Sequence, residues 1–108
     1  MSHRPTETAF TQRLRQTLTH CLRLKPPYNP ADFRKAIDAC GGDFAPRAQQ
    51  MLREQLHQGL VTLANRRALH LSMEWIILNE PEWEPLFTDE DRTLARQRLE
   101  TAGKLTGS

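Results

Sequence analysis

The 108 residues of this chain include only two cysteines, five glycines and one tyrosine, and aromatic residues make up 6%. Each scarcity excludes something. Cys21 and Cys40 are too few and too widely spaced for a disulfide scaffold or a CxxC zinc site, and they read as small buried thiols. There is no glycine-rich phosphate loop, because Gly41-Gly42 reads as a helix stop ahead of Asp43. No apolar run approaches the roughly 20 residues needed to span a bilayer. The opening Met1-Ser2-His3-Arg4-Pro5 lacks the apolar segment of a secretory signal. The expected setting is therefore cytoplasmic, without membrane attachment.

What is present is a single helical domain over 1–108 with a thin core, since only 38% of residues are hydrophobic. The net charge of +2 conceals a polarised chain. Residues 1–25 carry Arg4, Arg13, Arg15, Arg23 and Lys25 against Glu7 alone. Residues 74–91 carry Glu74, Glu80, Glu82, Glu84, Asp89, Glu90 and Asp91 without a lysine or arginine. Such asymmetry permits a surface for protein or nucleic acid without requiring either.

Helix signals recur along the chain. After a frayed start over 1–6, Phe10, Leu14, Leu18, Cys21 and Leu22 form one stripe of a helix over 7–24, ended by Lys25-Pro26-Pro27. A second helix, 30–40, has Asn29 as N-cap, Pro30 in its first turn, Tyr28 stapled to Phe33, and Phe33, Ala36, Ile37 and Cys40 as its buried stripe. Asp43 caps a third over 44–57, through Met51, Leu52 and Leu56 to His57. Ser72 caps a helix over 73–79, with Leu71 and Ile76 at staple spacing and Pro81 as the stop. Thr88 caps the last, 89–102, whose first turn Asp89-Glu90-Asp91 suits the positive helix end, with 103–108 as a frayed tail.

Residues 60–71 allow two readings. Gly59-Leu60-Val61-Thr62-Leu63 and Ala68-Leu69-His70-Leu71 about Arg66-Arg67 alternate like a hairpin, which would make a winged helix. Alternatively Leu60 to Asn65 is a short helix and Arg67 to Leu71 an extended connector.

Read together, Tyr28-Asn29-Pro30 with Phe33, Gly41-Gly42, Leu52, Gly59 with Leu63, Leu69-His70-Leu71-Ser72-Met73-Glu74, Pro85-Leu86-Phe87-Thr88 with Glu90, and Ala95 with Arg98-Leu99 resemble a short bacterial domain of no assigned activity. That domain has a YNP start, a double glycine, an LxLSxE step and an LFTxE ending. The resemblance covers residues 28–99 and implies an all-α fold, a compact bundle of about five short helices, with no catalytic residue. The family has an aromatic residue and a glycine before its arginine-leucine step, where this chain has Ala64, Asn65 and Arg66.

No motif demands catalysis. The Arg15 to His20 spacing resembles the HEPN ribonuclease motif, but a solvated face of the first helix is the better account. His57 and His70 lack further ligands at metal spacing. Glu80, Glu82 and Glu84 alternate in a proline-punctuated loop and read as solvated. Trp75 reads as a core anchor. Trp83, between Glu82 and Glu84, is either a lid on the bundle or a partner anchor, and its apolar neighbours Leu86 and Phe87 favour the lid.

The expected function is a non-catalytic interaction module of a bacterial cytoplasmic protein, with an unidentified protein partner and no metal or other cofactor. A mobile-element or defence setting rests on the resemblance alone. The candidate binding residues are Trp83, Glu82, Glu84, Arg66 and Arg67. Two alternatives are a winged-helix DNA binder using Arg47, Arg53, Arg66 and Arg67, and an acidic nucleic-acid mimic over 80–91.

Overall fold

A computed structural model describes residues 7–54 and 58–105, and no strand occurs among them. The all-α expectation holds. The start over 1–6, residues 55–57 with Leu56 and His57, and the tail from 106 lie outside the described residues, whereas the third helix, expected over 44–57, already stops at Leu52 in a turn over 53–54. The chain divides into two units, residues 1–47 and 48–108.

In the first unit, α1 (Ala9–Leu22) starts at Thr8, whose hydroxyl accepts the Thr11 amide at 3.3 Å. Phe10, Leu14, Leu18 and Cys21 are buried as the stripe requires, whereas Leu22 is 41% exposed. The buried face is completed by Thr11 and Thr17. Thr11 is useful there: its Oγ1 accepts the Phe44 amide at 2.9 Å, which ties α1 to the turn after α2 (Ala31–Asp38). The Thr8 amide donates to the Gly42 carbonyl at 2.8 Å. Gly41 and Gly42 sit at φ 70° and 95°, where a Cβ would be strained, so the double glycine is a left-handed stop. Phe33 meets Phe44 edge-on at 5.5 Å.

Two expectations about α2 need correction. Pro30, not Asn29, is the cap residue and has no polar side chain to offer, and the Asn29 backbone carbonyl accepts the Ala31 amide at 2.9 Å. Of the expected stripe only Ile37 is fully buried, and Cys40 is half-buried. α3 (Ala45–Leu52) begins in the first unit, with Asp43 Oδ1 accepting the Ala45 amide at 3.1 Å, and ends in the second.

The second unit holds α4 (Gln58–Asn65), α5 (Met73–Asn79) and α6 (Asp89–Leu105), joined by 3-10 helices at Leu69–Leu71 and Pro81–Leu86. α6 packs along α5 and α4, and its fully buried Ala95 and Ala102 leave room for close approach. Leu60 and Ala64 meet Ala102, with Leu69 and Leu99 against them. The helical reading of 60–65 holds and the wing does not form. The connector is not extended, however. α4 closes with the Ala68 amide on the Leu63 carbonyl and the Arg67 amide on the Ala64 carbonyl, a Schellman pair that puts Arg67 at φ 54°. A glycine is the usual residue there. α6 continues through 103–105, past its expected end.

Candidate protein interface

The segment from Glu80 to Asp91 is fixed at both ends by its own side chains. Ser72 caps α5 by accepting the Trp75 amide at 3.1 Å, and its hydroxyl donates to the Leu69 carbonyl at 2.7 Å. Pro81 then ends α5 at Asn79, and Glu80 turns extended. At the far end the Asp91 amide donates to Thr88 Oγ1 at 3.1 Å, and the Thr88 amide to Asp91 Oδ2 at 2.9 Å. This is a reciprocal capping box with Asp in the acidic position.

Between these anchors the chain is not a solvated loop but a 3-10 helix, Pro81–Leu86. Trp83 is 8% exposed and its Nε1 donates to Glu80 Oε1 at 2.8 Å, so it is a lid, as its neighbours suggest. Trp75, the expected core anchor, is only half-buried. In a 3-10 helix side chains three apart eclipse, so Leu86 continues the Trp83 row with Glu82 and Glu84 on either side. Leu86 was expected to help bury the turn; it is 42% exposed. Glu82 and Glu84 are exposed too. The turn therefore carries one exposed apolar side chain and two exposed carboxylates, which at three residues per turn project about 120° to either side of the Leu86 row. No sequence signal marked Leu86 as exposed.

The remaining acids are engaged. Asp91 is fully buried and accepts Gln49 Nε2 at 2.8 Å and Arg53 Nη1 at 2.9 Å as well as the Thr88 amide. Burial alone would raise its pKa, but the hydrogen bonds from Gln49, Thr88 and Arg53 outweigh it and hold the carboxyl below its usual value. Asp89 pairs with Arg92, and Glu90 faces Arg53 at 3.6 Å. Glu74 is buried and pairs with buried Arg98 at 2.8 Å, and Arg98 also donates to the Glu54 carbonyl at 2.9 Å. The sequence reading missed this pair. Its one available signal was a carboxylate inside the otherwise apolar run Met73 to Leu78.

Arg66 and Arg67 lie on the turn that closes α4, outside the 3-10 helix of Trp83, Glu82 and Glu84. Arg67 is exposed and Arg66 half-buried. Arg53, assigned to the DNA-binding alternative, has its guanidinium on Asp91 and the Gln49 carbonyl. Arg47 is half-buried. An open depression of about 290 Å³ lined by Gln49, Gln50, Arg53, Thr88, Glu90 and Asp91 is walled by these same hydrogen-bonded groups.

In the first unit Arg15 is held by Glu7 at 2.7 Å and Asp38 at 2.9 Å. Its hydrogen bond to Glu7 is the main cause of a raised pKa. His20 is exposed. Burial raises the Cys21 thiol and disfavours its reactive thiolate. Among the described residues no three His, Cys, Asp or Glu side chains converge as metal ligands, and no helix is long and apolar enough to cross a membrane. The chain matches no protein-family model, no curated protein and no solved structure.

Proposed function

We propose that this chain is a non-catalytic interaction module whose docking element is the 3-10 turn carrying Glu82, Glu84 and Leu86. The observation that supports this reading most is Leu86: a large apolar side chain, 42% exposed, on a short turn whose Trp83 is buried and whose Glu82 and Glu84 are exposed. A protein interface has an apolar centre and a polar rim, the composition that this turn offers on a small scale. The partner is a protein segment presenting an apolar side chain among lysines or arginines. Asp91, Glu74 and Arg15 each hold a structural partner, which accounts for their placement without a catalytic role. A bacterial mobile-element or defence setting is the context suggested by the resemblance, and a cytoplasmic location the one suggested by the two thiols.

The test places a photo-crosslinking amino acid at position 86 in the native host. A discrete protein adduct that disappears with Glu82→Lys and Glu84→Lys is expected. Crosslinking no different from that of the same probe at exposed Glu100 would overturn the proposal.

A further inference from the structure

The described residues hold two exposed large apolar side chains, and their surroundings are opposite in charge. Leu86, 42% exposed, shares its turn in the second unit with exposed Glu82 and Glu84. Leu22, 41% exposed, is the last residue of α1 in the first unit, followed by exposed Arg23 and exposed Lys25. Neither Arg23 nor Lys25 forms an ion pair among the described residues, although Arg15 on the same helix is held by two acids. The carboxylates of Glu82 and Glu84 likewise take no part in the ion pairs that engage Asp89, Glu90 and Asp91.

We infer that the Leu86 turn of one copy binds the Leu22 end of α1 in a second copy, with Glu82 and Glu84 facing Arg23 and Lys25. This rests on the proposed docking role of the turn and names its partner. Each patch has one exposed apolar side chain and two charges of one sign that form no ion pair among the described residues, Arg92 at the end of the turn being neutralised by Asp89, so each complements the other and repels itself. Pairing Leu86 with Leu86 across a twofold axis would set Glu82 and Glu84 against their own copies, and the same holds for Arg23 and Lys25 around Leu22. The contact therefore joins different surfaces of two copies. With one apolar centre on each side it falls at the small, weak end of protein interfaces, so association is expected at high micromolar concentration and upward.

The experiment is analytical ultracentrifugation of the full chain over a concentration series reaching about 1 mM, the range in which weak contacts populate. Wild type should show concentration-dependent association that weakens at about 0.5 M salt, because screening acts within a few ångströms there. Leu22→Ser and Leu86→Ser should each weaken it about tenfold or more, as removal of a central apolar contact does. Both positions are exposed, so the fold should survive, and unchanged circular dichroism checks this. The decisive sample is an equimolar mixture of the two variants. Leu86→Ser retains the α1 end and Leu22→Ser retains the turn, so the mixture should form a one-to-one dimer that neither variant forms alone.

Monomeric behaviour throughout would overturn the inference, as would association unaffected by Leu22→Ser or strengthened by salt. If the wild type stays monomeric while the position 86 crosslink captures a different protein, the docking role stands and only the second copy is excluded as partner. If neither is seen, both fail.

Discussion

Replacing Trp83 with alanine should destabilise the second unit severely, and the size of the loss can be worked from its surroundings. A buried tryptophan covers about 150–250 Å². At about 25 cal/mol per Å² that burial corresponds to about 4–6 kcal/mol. The side chain is 8% exposed and sits under a surface turn that can partly collapse, so the expected cost is about 3–5 kcal/mol. Its hydrogen bond to half-buried Glu80 accounts for about 1 kcal/mol of this. Trp83→Phe keeps a ring but loses that bond and some contact area, and should cost about 1–2 kcal/mol. Urea unfolding followed by far-UV circular dichroism measures both, and half-buried Trp75 remains as a fluorescent reporter in each variant. For a unit of this size the alanine variant should melt at least about 12 °C lower. An unchanged melting temperature would refute the lid, and would make Trp83 part of the exposed docking surface.

Four shorter predictions accompany it. Thr88→Ala removes the hydroxyl that accepts the Asp91 amide and should cost about 0.5–2 kcal/mol in urea unfolding, with Thr88→Ser recovering most of it. The Asp91 carboxyl has a lowered pKa when folded, so its contribution is complete above the ordinary value near 3.9 and is lost as pH falls through the lower folded value. Asp91→Asn should therefore cost about 1.5–3 kcal/mol at neutral pH, with the gap to wild type closing below about pH 4; a gap constant with pH would contradict this. Arg67→Gly should stabilise the protein by about 0.5–1 kcal/mol by relieving a left-handed arginine, and a loss of stability would show that its side chain outweighs the strain. Binding to random duplex DNA should be negligible at about 150 mM salt, given a net charge of +2 and an Arg53 already engaged, and micromolar salt-sensitive binding lost in Arg66→Ala with Arg67→Ala would contradict it.

The features legible in the sequence are those in which a side chain bonds a backbone group a few residues away. Ser72, Thr88 and Asp43 were readable as caps because their partners lie within three residues. Pro81 and the double glycine were readable because backbone geometry alone dictates their effect. The resemblance added the choice of helix over wing at 60–65. Arg67 was not readable, since its position is a glycine's and the arginine hides it. Nor were the pairs that join distant segments: Arg53 to Asp91 and Arg98 to Glu74 leave no spacing to recognise. Leu22 was misplaced because it falls on the apolar arc of α1 yet sits at its last residue, where it is only partly covered. Of the candidate interface, Glu82 and Glu84 were legible as exposed, whereas the rigid turn presenting them was not.

The Glu74–Arg98 pair also indexes α6 within the second unit. The contacts of α6 with α4, among Leu60, Ala64, Leu99 and Ala102, are apolar and offer no directional bond to mark the register. A shift of one residue along α6 would rotate Arg98 by about 100° and strand Glu74 in an apolar environment. Stranding a buried charge costs about 3–5 kcal/mol, comparable to the whole margin by which small domains remain folded. The pair thus contributes less to how firmly α6 is held than to which of several neighbouring placements it can occupy. Because Thr88 and Asp91 begin the same helix, fixing that placement also fixes where the Leu86 turn is presented.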